Sequence, residues 1–396
     1  MKVLQICFRV PFPPDDGGAI AMYGITRNLA LKGHDVTVLA VNTPKHFQNA
    51  DVLDDLARLV PVYVDTTINW VNALKNFWKP IPYIAERFIS EDFVKCLEKL
   101  LREERYDVVH FEGTYVAWYV DVVRKHTKAP VILRSHNIEH IIWRRLAEHE
   151  PNRIKKIYFR RMAHELRLFE RTYYEKFDAI AAITPEDGVR IKELGVSVPC
   201  HFIPAGVDLD RFSIRSDIRP KRFTCFILSA LEWLPNQEAL LWFLDQVWPG
   251  VSAAMPELEL HVAGKGTPEH ILNLKMKNVF IHGYVDDASA FIQQYDLMLV
   301  PLLSGGGMRL KIIEGMALEK CIFASSIGAE GIDCTDGKNI VICDEADKWV
   351  GKIKDYFRNR ENYASIGANA GRLIRDAYAN PNVIDRFINL YNSLAT

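Results

Sequence analysis

The stretch Pro301-Leu-Leu-Ser-Gly-Gly-Gly-Met-Arg-Leu-Lys-Ile-Ile-Glu-Gly-Met-Ala-Leu318 gathers residue types that suit a bound anion. Gly305, Gly306 and Gly307 follow an apolar run and precede a helical pattern starting near Met308. Residues without side chains let a phosphate approach the backbone, and exposed N–H groups at a helix start favour negative charge. Arg309 and Lys311 then fall in the first turn, where the helix dipole disfavours cations. A diphosphate between them removes that conflict. Glu314 lies about one turn deeper, on the side of Lys311, where a carboxylate suits hydroxyls such as those of a ribose. The plainer alternative is a flexible loop before a solvated helix with a Lys311–Glu314 surface pair. The preceding strand, the glycine run and the misplaced cations together favour the anion site.

A second candidate set follows the apolar run that ends in Leu133-Arg-Ser-His-Asn-Ile-Glu139. It places His136, Asn137 and Glu139 at the carboxyl end of a strand, the edge where open α/β sheets bind ligands. A lone histidine often serves structure alone; this one has a carboxylate three residues on. Glu139 is either a helix-start acid or an orienting partner. Glu112, after Asp107-Val-Val-His-Phe111, stands at another strand end and ranks below His136. Gly17-Gly18 opens a helix. Its N–H groups either face a diphosphate or acceptor, or form a tight turn capped by an aspartate. Asp208-Leu-Asp210 formally matches an acidic metal box but lies in a linker and is not a site. No GxGxxG follows the first strand, which disfavours a dinucleotide-dependent dehydrogenase.

These residues need a scaffold, and the chain supplies strands and helices in alternation. Apolar runs at 3–8, 36–41, around 64, 107–111, 130–135, 179–184 and 201–204 lack polar alternation. Strands of that kind are buried on both faces, as in parallel sheets covered by helices. A second series runs through 223–230, 258–264, 278–283, 296–301, 321–325 and 339–343. Helical patterns lie at about 19–31, 236–248, 308–318 and 345–358, and an amphipathic final helix at 380–394. With a turn-rich linker at 205–222, the expected domains are 1–205, 206–378 and a terminal helix, 379–396, crossing back to the first. The expected fold is α/β, two such domains around a cleft.

Composition excludes more than it names. The 396 residues carry 49 basic and 50 acidic side chains, a net charge of −1 that gives no global field for nucleic acid. The halves differ: residues 1–205 carry 29 basic and 26 acidic side chains, and the remainder 20 and 24. No stretch approaches the ~18–20 apolar residues of a membrane span. The opening Met1–Pro14 reads as a first strand rather than a signal peptide. Seven scattered cysteines without a CxxC argue against a zinc site or disulfide frame and for a cytoplasmic protein. The segment 153–176 has eight Lys/Arg and three Glu among apolar residues. It packs one face and solvates the other, or lies on an anionic membrane surface or receives phosphorylated acceptors. The aromatic stretch 69–88, with Trp70, Phe77, Trp78, Tyr83 and Phe88, suits an acceptor groove or a core equally.

In order along the chain, these segments resemble the GT-B glycosyltransferases of family 4, retaining enzymes that use nucleotide sugars. The glycine–helix segment with Glu314, Met316 and Ala317 resembles their donor-binding signature. Ile183-Thr-Pro-Glu-Asp-Gly188 and Ile203-Pro-Ala-Gly-Val-Asp-Leu-Asp-Arg-Phe212 resemble the segments flanking the last strand of their first domain. Gly17 and Gly18 fit the same order. The resemblance implies two Rossmann-like domains with mostly parallel sheets facing a central cleft. It implies a nucleotide diphosphate sugar as donor, no metal or other cofactor, and a hydroxyl acceptor on a saccharide or lipid-linked saccharide of a cell-surface glycan. His136 resembles the family's histidine near the reacting sugar, which implies holding a sugar hydroxyl rather than acting as a strong base. Domain closure then excludes water from a same-face displacement.

Two departures from the family stand out. Its pattern has two glutamates with seven residues between them; Glu314 matches the second, and Gly306 stands at the first. That leaves the transferred sugar open. At Ser229–Leu240 the family often has an Arg and a Lys on the diphosphate, whereas this chain offers Glu232, Trp233 and Asn236. Arg309 and Lys311 are therefore expected to replace those cations from the opposite loop, stabilising the departing diphosphate. A nucleotide-sugar epimerase on the same scaffold, and a non-catalytic nucleotide-sugar-binding protein, stay open as alternatives.

Overall fold

The computed structural model describes residues 1–14, 16–69, 76, 79, 81–305 and 307–395. The apolar runs form thirteen strands among the described residues. The chain divides into two compact units, Met1–Gly206 with the segment from Asn380 onward, and Val207–Ala379.

In the first unit, β1 (Lys2–Cys7), β2 (Asp35–Asn42), β3 (Arg58–Tyr63), β4 (Val108–Glu112), β5 (Val131–Ser135), β6 (Ala179–Ala182) and β7 (Cys200–Phe202) form one parallel sheet. Its order is β3-β2-β1-β4-β5-β6-β7, so the chain first builds outward from β1 and then returns to its other side. Where that direction reverses, loops from the carboxyl ends of β1 and β4 separate and leave room for a ligand. Register puts Cys7 beside Glu112 and Glu112 beside Arg134 at that edge. The expected strand near residue 64 lies earlier, at Arg58–Tyr63, with Pro61 inside it. Proline cannot donate to a ladder, and β3 tolerates it because it is an edge strand.

Helix α1 (Gly17–Leu31) buries Ala19, Met22, Ile25 and Leu29 at helical spacing over the sheet, and Gly33 ends it with φ +78°. Helices α2 (Glu139–His149) and α3 (Arg153–Tyr174) pack as an antiparallel pair. The terminal helix, Asn380–Ala395, belongs to this unit. Its Val383, Ile384, Phe387, Leu390 and Tyr391 join Met22, Ile25 and Leu29 of α1 in one core cluster with β1. The Tyr391 hydroxyl reaches Nδ1 of His110 at 2.5 Å, tying the helix to β4.

The second unit repeats the plan with β8 (Lys221–Leu228), β9 (Glu259–Ala263), β10 (Val279–Gly283), β11 (Tyr295–Val300), β12 (Cys321–Ala324) and β13 (Val341–Ile342). Order β10-β9-β8-β11-β12-β13 puts the reversal between β8 and β11. The loop after β8 carries Ser229–Trp233, and the loop after β11 carries the glycine run. The helix expected at 236–248 is broken. Helix α4 (Leu234–Trp242) passes through a wide turn at Phe243–Val247 into Trp248–Ala254. Pro249 explains the break, since its ring cannot continue the i→i−4 ladder. Helix α5 spans Leu310–Ala317, two residues shorter at its start than the sequence pattern suggested.

All seven cysteines are free. Among the described residues, no helix is long and apolar enough to cross a membrane.

Candidate functional site

In the second unit, Arg309 is the residue before α5, with φ −90° and ψ 95°, rather than part of its first turn. Its side chain is buried, and the guanidinium lies over the Trp233 ring, 5.5 Å from the centroid. Gly305 makes that approach possible. Its φ is +122°, and a Cβ there would stand 2.7 Å from Trp233 Cη2 and 2.8 Å from Arg309 Nη2. Gly307 also has positive φ, +75°; Gly306 lies outside the described residues.

Lys311 turns from α5 to the loop after β8. Its Nζ donates to Ser229 Oγ at 2.7 Å and to Asn236 Oδ1 at 3.0 Å. Asn236 is held by its own Nδ2, which donates to the Ala230 carbonyl at 2.8 Å. Burial, with the Arg309 charge adding to it, lowers the Lys311 pKa to about 7. Among the described residues Lys311 makes no ion pair with Glu314, so the surface-pair alternative falls. Glu314 is partly exposed and its carboxylate makes no hydrogen bond among the described residues. Burial raises its pKa to about 7, against a modest pull from Arg211. Two cations and a poised acid thus sit at the carboxyl edge of β8 and β11. Both cations reach the segment where the sequence lacks the family's usual pair.

In the first unit, His136 Nε2 meets Glu112 Oε2 at 2.7 Å. Glu112 is fully buried, and its Oε1 accepts from Gln5 Nε2 at 2.9 Å, with His110 Nε2 at 3.3 Å. Gln5 in turn accepts from Thr26 of α1 at 2.6 Å. Burial opposes the Glu112 charge, but the imidazoles of His110 and His136 outweigh it and hold the carboxyl well below the usual range. Buried Arg134, on β5 beside Glu112, adds positive field to the same face and stacks on Phe387 at 5.0 Å. Burial lowers the His136 pKa despite its carboxylate partner, so the ring is neutral at pH 7. A carboxylate only accepts hydrogen bonds, so Nε2 carries the proton and Nδ1 keeps a lone pair. That leaves His136 able to accept from a hydroxyl.

Asp16 accepts from the Gly18 and Ala19 amides at 3.0 and 3.1 Å, so the Gly17-Gly18 turn takes the capping alternative rather than presenting those amides to an anion. Glu139 starts α2, and its buried carboxyl accepts from Tyr115 Oη at 2.7 Å. Its amide donates to Glu170 at 2.7 Å. Burial raises Glu139 to about 7, with hydrogen bonds from Tyr115 and Asn137 opposing. Glu139 and Asn137 therefore order the loop after His136. Glu232 is exposed, and Lys311 chooses Asn236 instead. Trp70, Phe77 and Trp78 of the aromatic stretch lie outside the described residues. Among those described, no three His, Cys, Asp or Glu side chains group to hold a metal ion.

The structure puts Glu112, the lower-ranked candidate, in contact with His136, and adds Gln5, His110, Arg134, Ser229 and the stacking of Trp233 to what the sequence singles out. One signal was present. Polar Gln5, His110 and Glu112 interrupt otherwise apolar strands, and the spacing of His110 and Glu112 puts both on one face.

Comparison with known proteins bears on the same regions. A family model described as Glycosyltransferase Family 4 matches residues 16–211, and one described as Glycosyl transferases group 1 matches 222–359. A 44.6 kDa uncharacterised protein of the cps region of Klebsiella pneumoniae is 22% identical over 393 residues, covering 95% of this chain and 96% of its own. Among solved structures, HepE of Anabaena in complex with UDP superposes with a TM-score of 0.70 at 14% identity, covering 99% of this chain and all of that one. Sucrose-phosphate synthase of Thermosynechococcus elongatus gives 0.69 at 14%, covering 100% and 99%. At such identities the superpositions speak for the fold, two Rossmann-like α/β domains, while the two family models between them span most of the sequence. The chain belongs to the family 4-like glycosyltransferases of GT-B fold.

Proposed function

We propose that the protein moves a sugar from a nucleotide diphosphate sugar to a hydroxyl on a saccharide or lipid-linked saccharide, with retention and without a metal. The observation that carries this reading is the reach of Lys311 to Ser229 and Asn236, with Arg309 against Trp233 beside Gly305. The departing diphosphate gains negative charge as its bond to the anomeric carbon breaks. Two preorganised cations stabilise that charge most where water is largely displaced. Glu314 accepts from ribose hydroxyls, and His136 accepts from a sugar hydroxyl through Nδ1. The acceptor oxygen bonds the anomeric carbon on the face the diphosphate leaves, and the acceptor proton passes to the departing phosphate oxygen. UDP in the HepE structure and the cps location of the Klebsiella relative support a nucleotide donor and a cell-surface glycan as destination. A cytoplasmic protein touching the inner membrane face fits α3, which exposes Ile154, Ile157 and Leu168 among Arg153, Arg160, Arg167 and Arg171.

The test is a panel of nucleotide sugars scored for nucleotide diphosphate release with and without EDTA. Release stimulated by a saccharide acceptor and unchanged by EDTA is expected. Sugar isomerisation without release, or binding without turnover, contradicts transfer.

The same groups set a pH profile. Lys311, with a pKa of about 7, must be protonated to pair the diphosphate, so kcat/KM for the donor falls above pH 7. Glu314, also about 7, must be ionised to accept hydroxyls, so kcat/KM falls below it. A bell centred near neutrality is expected. Glu314→Gln should flatten its acid limb and Lys311→Arg its alkaline limb.

A further inference from the structure

A cavity of 590 Å³ opens at the carboxyl ends of β1, β2 and β3, lined among others by Phe8, Arg9, Lys45, His46, Arg87 and Phe88. That volume accommodates a sugar phosphate or two sugar rings. Among the described residues, Arg9, Lys45, Arg87 and His46 line it beside one carboxylate, Asp16, which is paired with Arg9. Its Oδ1 sits 2.5 Å from Arg9 Nη2 and accepts the two amides at the start of α1. Among the described lining residues, that leaves the charges of Lys45 and Arg87 with no further carboxylate to balance them.

Arg9 is built into the cavity rather than laid on its surface. It is 6% exposed, its Nη1 lies 3.2 Å from His46 Nε2, and its buried Nε has no hydrogen-bond partner among the described residues. Arg87 Nη1 donates to the Thr66 carbonyl at 2.6 Å, fixing the Thr66–Ile68 wall, while its own buried Nε likewise has no partner among the described residues. Buried guanidinium nitrogens without acceptors are costly unless something supplies one. Lys45 stands exposed at the rim. The walls between these charges are apolar: Phe8, Phe88 and Ile68. Flat rings and a methyl-bearing face suit the C–H faces of a sugar, and a planar guanidinium suits a phosphoryl or carboxylate group.

The cavity also adjoins the candidate chemistry. The Phe8 ring meets the His136 ring edge-on at 5.9 Å, so the pocket and His136 are one ring apart. Gly113 preserves that packing, since a Cβ there would stand 2.9 Å from the Phe8 ring.

We propose that this cavity binds the acceptor and selects one that carries an oxyanion, phosphoryl or carboxylate, on its saccharide. The word acceptor rests on the transferase reading above; the anion site stands on the cavity itself. Calorimetry with glucose 1-phosphate, glucuronate and the uncharged methyl glucoside tests it. Both anions, or the one that is the natural source of charge, should bind at least about tenfold tighter than the glucoside, and less tightly as salt rises. A preference for glucose 1-phosphate points to a phosphate-linked acceptor, and one for glucuronate to an acidic sugar. Lys45→Glu, an exposed change that spares the core, and Arg87→Gln should each remove the preference by about tenfold. UDP affinity should be the same in both variants as in the wild type. Equal binding of the glucoside, unchanged anion affinity in both variants, or displacement of the bound anion by UDP would overturn the proposal. Anion binding with no UDP binding anywhere on the wild-type protein would count against the nucleotide-sugar reading and leave the pocket's selectivity standing.

Discussion

Exchanging Lys311 for methionine should lower kcat/KM for the donor by roughly 10²–10³-fold, the scale of losing one preorganised charge-stabilising donor. Thermal stability should hold or rise. The two expectations run in opposite directions for one reason. Burial lowers the lysine pKa to about 7, so the folded protein holds this ammonium against a desolvation cost. Methionine keeps the length of the stem and removes that cost. Ser229 and Asn236 lose a donor, but Asn236 stays anchored to the Ala230 carbonyl, and water reaches the partly exposed site. A lysine that served structure alone would give the reverse result, lower stability and intact turnover. Kinetics beside a melting curve on the same preparation separates the two.

Glu112→Gln should destabilise the first unit by about 3–5 kcal/mol and remove most activity in what remains folded. The carboxylate receives N–H groups from Gln5 and His136, with His110 Nε2 close by, and it faces Arg134 across β4 and β5. An amide of the same shape cancels the charge and leaves Arg134 buried without a counter-charge. It also turns an NH₂ toward one of those donors. Where that donor is His136, the ring must move its proton to Nδ1 and loses the lone pair offered to a hydroxyl. The pH dependence follows the same group. Its folded pKa lies below the unfolded value near 4.3, so its contribution is present above that pH and fades as pH falls below it. Wild-type melts from pH 3 to 7 should show that acid loss, and the variant should show less of it.

The sheets were readable because parallel strands buried on both faces appear as unbroken apolar runs. Arg58–Tyr63 was harder to read because it carries Pro61, which an edge strand accepts and a central strand excludes. The anion site was half readable. Gly305, Arg309 and Lys311 are neighbours in sequence, and their types conflict with a helix start unless a ligand is present. Their partners were not readable. Ser229 and Asn236 lie 82 and 75 residues from Lys311, and only the switch between β8 and β11 brings them together. Glu112 shows the same limit from the other side. Its place beside His136 depends on the register of β4 with β5, and Tyr391 joins the network across 281 residues. Gly18 shows how local competition decides: an aspartate two residues away claimed the amide before any ligand.

The most direct measurement is the affinity of UDP, and of the nucleotide sugar the panel selects, for wild type, Lys311→Met, Arg309→Gln and the double variant by calorimetry. Arg309 and Lys311 standing in for the family's missing cations requires a loss of roughly 10–100-fold from each single change, the range of charge-assisted hydrogen bonds. The double variant should bind only weakly, with melting curves still showing a folded protein. Unchanged affinity in the double variant would contradict the assignment of the diphosphate to this loop.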